Sequence, residues 1–199
     1  MNCVETLARV NVLCVDKTGT ITRPDMSVSD VVFLKDNVGK LIAGVAGNMD
    51  DDNETMKAIK NYYHITGRDN SAERVYSFSS QNKYSGAVLD GRCYIFGAPE
   101  YVLLDTYAEY EDIFERYSGH GERILVFGEC VGDPCGNIIE EAVNPYAFII
   151  LENEIRDTAK ETFGYFASQG VDIVVISGDN PVTASKVAVR AGINNAENY

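Results

Sequence analysis

The sequence predicts an α/β protein in two parts: a parallel-sheet domain split by an inserted α+β domain built on an antiparallel sheet. Three observations predict it. Near-continuous apolar runs, "VNVLCV" at 10–15, "YAFIIL" at 146–151 and "DIVVI" at 172–176, read as strands buried on both faces. The last two are each followed by a helical pattern, and alternating strands and helices are what cover a parallel sheet on both sides. Between about 28 and 145 the pattern shifts to shorter, alternating strands separated by turn-like residues, as antiparallel hairpins are.

Each element follows in order. The first strand, 10–15, breaks off at Asp16. Asn53 or Asp52 serves as N-cap to a helix over 54–64. "ERVYSFS" (73–79), "KYSGAVL" (83–89) and "RCYIFG" (92–97) are hairpin strands, and a helical stretch from about Pro99 to Tyr117 breaks near Asp105. "RILVFGEC" (123–130) is a further strand, and 146–151 is assigned to the parallel sheet. A helix from about Arg156 to Ser168 follows, with Phe163, Tyr165, Phe166 and Ala167 on its apolar side and Gly170 as left-handed cap. After strand 172–176, Asn180 reads as N-cap, Pro181 as the first helical residue and Gly192 as the stop. Pro24 and "NP" at 144–145 punctuate short crossings near 24–30 and 142–147, giving parts at 1–27, 28–144 and 145–199.

Composition narrows the function. A chain of 199 residues with 45% hydrophobic and 24% charged residues can bury a real core. The net charge of −13 disfavours nucleic acid and anionic membrane surfaces, because phosphate backbones reward clustered Lys and Arg. Nucleotide binding survives this test, since it needs only local positive charge and backbone donors. Cys3, Cys14, Cys93, Cys130 and Cys135 are odd in number and lack zinc-finger spacing, so they read as reduced and structural. The apolar runs fall far below the roughly 20 residues that span a bilayer. The N-terminal "MNCVETLARV" lacks the apolar core of a signal peptide. "MDDDNET" lacks the glycine and distal glutamate of a calcium loop, and His64 and His120 are isolated.

Chemistry concentrates where the first strand ends. Ligands of open parallel sheets bind beyond the carboxyl ends of the strands, and Asp16 sits at one. Lys17, Thr18, Gly19 and Thr20 offer a cation, hydroxyls and close-lying backbone N–H groups, which suit a phosphoryl group. "ISGD" supplies a matching half, with Ser177 ending the strand 172–176. A carboxylate facing a phosphoryl group needs a neutralising cation, which implies Mg²⁺. In-line attack by Asp16 then gives an aspartyl-phosphate. Thr18 stands where a carboxyl group would protonate the leaving group and activate water, and a hydroxyl does neither efficiently. The acyl-phosphate therefore forms from a good leaving group such as ADP and persists. The plain alternative is that Asp16 is a turn residue after a strand.

"DKTGTIT" (16–22), with the lead-in "VETLARVNVLCV", resembles the phosphorylation motif of P-type cation-transporting ATPases. "SGDNPVTASKVAVRAGI" (177–193) is similar to that family's second phosphate-binding strand and helix. The resemblance covers the whole chain and implies a haloacid-dehalogenase-like (Rossmann-like) phosphorylation domain split around a nucleotide-binding domain. It implies that Asp16 is phosphorylated, that Asp16 and the Thr18 carbonyl help hold Mg²⁺, and that Thr18, Ser177 and Gly178 contact the phosphoryl group. Asp179 would lie toward the nucleotide, and Lys17 beside the phosphoacceptor.

In the insertion, "NET" (53–55) looks like the stretch whose Glu, here Glu54, reaches the adenine side. "FSSQNKYSG" (78–86) is similar to the segment bearing an adenine-stacking aromatic and a lysine, here Phe78 and Lys83. "FGAPE" (96–100) resembles a loop with lysine in place of Phe96, which implies an altered pocket beside Gly97. Arg123 matches an arginine that contacts the polyphosphate. On residue type alone, Phe78 reads equally as core, and Lys83 and Arg123 as solvated charges. Asn153 in "NEIR" replaces a family aspartate.

The family's later lysine, its Gly-Asp-Gly-x-Asn-Asp segment, its membrane helices and its actuator domain do not occur in this sequence. The resemblance thus implies a large cytoplasmic loop of an integral membrane protein, cut short within its phosphorylation domain. The expected partners are ATP, those membrane helices and actuator domain, and a transported cation, with calcium or magnesium pumps the nearest in wording. By itself the fragment is expected to bind ATP weakly and hydrolyse it negligibly. Two rival readings are a stand-alone aspartate-nucleophile phosphatase with a cap domain, and a nucleotide-binding module whose site is dead.

Overall fold

In the computed structural model, residues 10–50, 53–118, 122–132, 134, 137–177 and 181–198 are described. The chain divides into two compact units, one of 1–24, 119–121 and 153–199, the other of 25–118 and 122–152.

The first unit holds a two-stranded parallel sheet. β1 (Val12–Asp16) pairs with β8 (Asp172–Ile176) in the register Val12↔Asp172 through Asp16↔Ile176. Helices α5 (Ala159–Ser168) and α6 (Pro181–Arg190) supply Phe163, Val187 and Ala188 to a core that also takes Val15 and Ile21. The uninterrupted apolar runs predict burial on both faces, yet Val12, Val174 and Ile176 are exposed, and no described element covers them. Helix α5 begins three residues later than its pattern predicts, because Arg156–Thr158 form the turn that launches it: the Ala159 N–H donates to the Arg156 carbonyl. Gly170 and Gly192 both have positive φ, as their capping positions require. Pro181 is the first residue of α6, while its expected N-cap Asn180 lies outside the described residues.

The second unit is built on a six-stranded sheet in the order β2-β7-β6-β5-β4-β3. Its strands are β2 (Thr22–Phe33), β3 (Arg74–Tyr76), β4 (Tyr84–Leu89), β5 (Arg92–Gly97), β6 (Arg123–Glu129) and β7 (Asn144–Ile155). The pairings β3–β4, β4–β5, β5–β6 and β6–β7 are antiparallel. Two expectations change here. The apolar run 146–151 lies in this antiparallel sheet, not the parallel one, and the return crossing expected at 142–147 overlaps strand β7, the units dividing at 152/153. The first division, at 24/25, falls within the expected 24–30, inside strand β2.

The reason for the first is visible in the packing. Along β7, Ala147, Ile149 and Leu151 enter one core, and Phe148 and Ile150 enter the other. A strand buried on both faces reads the same in either kind of sheet, so hydropathy alone cannot assign it.

Helices α1 (Val38–Asn48) and α2 (Glu54–Tyr62) cover the first of these cores, with Ile42, Val45, Met56 and Ile59 buried. The sequence reading missed α1, whose three glycines each oppose helix formation by about 1 kcal/mol relative to alanine. Packing is what holds it: Ile42, Val45 and Ala46 are fully buried in that core. Asn53 caps α2 as expected, its Oδ1 accepting the Met56 N–H at 2.9 Å. The other core is covered by α3 (Pro99–Val102), a 3₁₀ stretch (Leu104–Tyr110) and α4 (Glu111–Ser118), so the helical stretch does break near Asp105.

Candidate functional site

Asp16 is the last residue of β1 and is exposed at the strand's carboxyl end. Its register partner is Ile176, so the half-buried Ser177 follows at the same end of the pair. Parallel pairing is what brings these two segments together from 160 residues apart. Gly178 and Asp179 lie outside the described residues.

The loop after Asp16 has a definite shape. Thr18 (φ −81, ψ 125) and Gly19 (φ 80, ψ −14) are the central residues of a type II turn. That turn needs positive φ at its second central residue, which glycine adopts without strain. The loop closes when the Thr22 N–H and Oγ1 both donate to the Lys17 carbonyl. Ile21 is fully buried and anchors its far end, and Lys17 is buried too, with 7% of its surface exposed. Thr18 and Thr20 are exposed.

A second segment grips the same loop. The Arg156 guanidinium donates from Nη2 to the Gly19 carbonyl at 2.6 Å, and its backbone N–H donates to the Ile21 carbonyl at 3.0 Å. Arg23 pairs with Asp157 at 2.6 Å. Asn153, where the family resemblance has an acid, points its amide at the Arg23 and Pro24 carbonyls at 3.5 and 3.4 Å. Those long contacts use donors that a carboxylate lacks.

Among the described residues no three or more His, Cys, Asp or Glu side chains gather to hold a metal. What the loop offers is an exposed carboxylate and the backbone carbonyl of exposed Thr18. Such hard oxygen donors fit Mg²⁺, which is ordinarily held by one or two carboxylates together with water and phosphate oxygens.

In the second unit, β-sheet register gathers three of the expected nucleotide contacts. Tyr84 pairs with Gly97, and the Ala98 N–H donates to the Lys83 carbonyl at 3.1 Å. Gly97 also pairs with Val126, which puts Arg123, the exposed first residue of β6, toward the same end of the sheet. A Cβ on Gly97 would meet Val102 at 2.3 Å, so the glycine here serves packing. Phe78 follows β3 and is 48% exposed; it does not enter the core. The Lys83 N–H donates to the Ser79 carbonyl at 2.8 Å, closing the turn that links Phe78 to Lys83. Glu54 opens α2 and pairs with Lys57 at 2.7 Å. Phe96 is core: 2% exposed, its ring 4.9 Å from that of Phe127.

Two residues were missed in the sequence. Tyr101 stands 48% exposed with the Lys83 ammonium 6.0 Å from its ring centre. Arg156 stands out in the sequence only as a helix start and within "NEIR"; its contact with Gly19 spans 137 positions, which no local pattern signals. Of the cysteines, Cys14 is exposed and Cys93 and Cys130 are buried, none of these three in a disulfide, while Cys3, Cys135 and also His120 lie outside the described residues. No described helix is long and apolar enough to cross a membrane.

A family model described as haloacid dehalogenase-like hydrolase matches residues 10–197. The calcium-transporting ATPase CtpE of Mycolicibacterium smegmatis is 37% identical over 193 residues, covering 96% of this chain and 24% of that protein. The probable cation-transporting ATPase exp7 of Streptococcus pneumoniae serotype 4 is 35% identical over 207 residues, covering 100% and 26%. The chain therefore spans about a quarter of the length of the curated relatives it matches. In fold it is similar to a zinc-transporting PIB-type ATPase in its E2.Pi state (TM-score 0.68, 19% identity, 96% of this chain and 29% of that one). It is also similar to the catalytic domain of the CPx-ATPase CopB-B (TM-score 0.65, 13% identity, 98% and 64%).

Proposed function

Since this chain belongs to the haloacid dehalogenase-like hydrolases, we propose that Asp16 is its nucleophile and that the chain is the ATP-binding, phosphate-accepting portion of a P-type cation pump. The relatives named as cation-transporting ATPases support the second part. One observation carries the first: Asp16 is exposed at a strand's carboxyl end, in register with Ile176, and followed two positions later by a threonine.

In this reading ATP docks on the second unit, with Phe78 against the base and Lys83 and Arg123 on its anionic side. Glu54 lies toward the adenine. An Asp16 carboxylate oxygen attacks the γ-phosphorus in line. The bond from phosphorus to the bridging oxygen breaks, its electron pair leaves with ADP, and an aspartyl-phosphate remains. Thr18, Ser177, Gly178 and the loop's backbone N–H groups steady the phosphoryl oxygens, and Lys17 and Asp179 border the site. Asp16 and the Thr18 carbonyl would hold Mg²⁺, which when bound offsets the repulsion between carboxylate and phosphate.

Thr18 gives the intermediate its lifetime. With no acid two residues from the nucleophile, water attacks slowly, and the phosphorylated state lasts long enough to be coupled to ion movement. A cation of the calcium or magnesium type is the proposed cargo, with calcium supported by the name of the CtpE relative. A free-standing phosphatase is disfavoured by the same threonine.

The test uses the full-length protein that carries these residues, incubated with Mg²⁺ and γ-labelled ATP. Acid-stable, hydroxylamine-labile label is expected in wild type and absent in Asp16→Asn. Fast release of phosphate from p-nitrophenyl phosphate, with no trapped label, would support the phosphatase instead.

A further inference from the structure

We infer that Arg156 is a positioning residue for Asp16, acting through the turn that follows it; this rests on Asp16 being the phosphoacceptor. Gly19 lies three residues after Asp16 as the second central residue of a type II turn, and its carbonyl belongs to the Gly19–Thr20 peptide that leads out of that turn. Both ends of the loop are fixed by burial, at Lys17 and Ile21. Between them, the Gly19 carbonyl accepts a charge-assisted hydrogen bond from the Arg156 guanidinium at 2.6 Å, a short distance for such a bond.

The Arg156 backbone is itself held. The Arg156 backbone N–H donates to the Ile21 carbonyl, and its carbonyl accepts the Ala159 N–H at the start of α5. The next residue, Asp157, pairs with Arg23, two residues beyond Ile21. Loop and helix start are therefore laced together by three contacts within one unit. Arg156 fixes the plane of the Gly19–Thr20 peptide, and with it the direction of the Thr20 N–H and the exit of the loop that begins at Asp16.

Arg156 is exposed, and an exposed polar contact adds little to stability, so its effect belongs in the kinetics. The experiment is single-turnover phosphorylation of the full-length protein, with ATP affinity and melting temperature measured alongside. Arg156→Ala is expected to slow phosphoenzyme formation by about 10- to 100-fold, as a misplaced reacting group does. ATP affinity and melting temperature stay at wild-type values, and added guanidinium ion restores part of the rate. Arg156→Lys, which keeps one donor, falls between the two. If Arg156→Ala does not fold, the Arg156→Lys rate decides: a wild-type rate overturns the inference. Wild-type rates in Arg156→Ala overturn it as well, provided Asp16→Asn still abolishes labelling. Labelling that persists in Asp16→Asn instead removes the reading on which the inference stands.

Discussion

Asp16 and Ile176 are register partners in the β1–β8 pair, so the serine after Ile176 leaves its strand at the same end as Asp16. Two segments of chain separated by the whole second unit thus share one sheet end. Ser177→Ala is expected to slow labelling of Asp16 by about 10- to 100-fold, the scale of losing one donor to developing charge. ATP affinity should hold. A quench-flow time course beside an equilibrium ATP titration checks both.

Thr18 is exposed with ordinary extended dihedrals, so the backbone accepts other residues there. Thr18→Asp supplies the acid that the loop lacks. The phosphoenzyme is expected to decay at least about tenfold faster, since a positioned general base contributes about 10²–10⁴-fold. A chase with unlabelled ATP measures the lifetime. An unchanged lifetime would mean that something other than the residue at 18 sets the rate of hydrolysis.

Phe96 occupies the position of a family lysine but lies in the core against Phe127. Phe96→Lys therefore should not improve ATP binding. It buries an ammonium and removes a ring whose truncation alone costs about 3–5 kcal/mol. Urea denaturation is expected to show the second unit unfolded or nearly so. Phe78→Ala, at an exposed ring, should leave the urea midpoint unchanged while weakening ATP several-fold.

How much of this was legible in sequence depends on range. The fold class was, because apolar runs and turn residues report burial and reversal locally. Asn53 as cap, Pro181 as first helical residue and the break near Asp105 were equally local. Strand β7 was assigned to the wrong sheet, since a strand feeding two cores with alternate residues shows no period to read. Helix α1 was hidden by its three glycines, whose poor helix propensity is overridden by the burial of Ile42, Val45 and Ala46. Asp16 and Ser177 stand out in the chain; Arg156 does not, because its significance is a contact made only once the strands have paired.

The Tyr63 hydroxyl is buried without a hydrogen-bond partner among the described residues, and burial pushes its pKa up to about 12. Tyr146, donating to Glu129 and partly buried, is also pushed up to about 12. In the unfolded chain both titrate near the ordinary tyrosine value of about 10. A raised pKa favours the folded state below that value, and the advantage is lost as pH rises through the folded pKa. Stability should therefore fall between about pH 10 and 12. Tyr63→Phe is expected to flatten part of that fall and, by removing an unpaired buried hydroxyl, to raise stability at neutral pH by about 1 kcal/mol. Urea midpoints across that range test the sign.

The central claim is that one carboxylate accepts the phosphoryl group. Reducing the labelled full-length protein with tritiated borohydride and mapping the peptides by mass spectrometry tests it directly. An aspartyl-phosphate at 16 converts to homoserine, so tritiated homoserine in the peptide containing "CVDKTG" is the result expected. Tritium at any other position, or label resistant to the reduction, would contradict it.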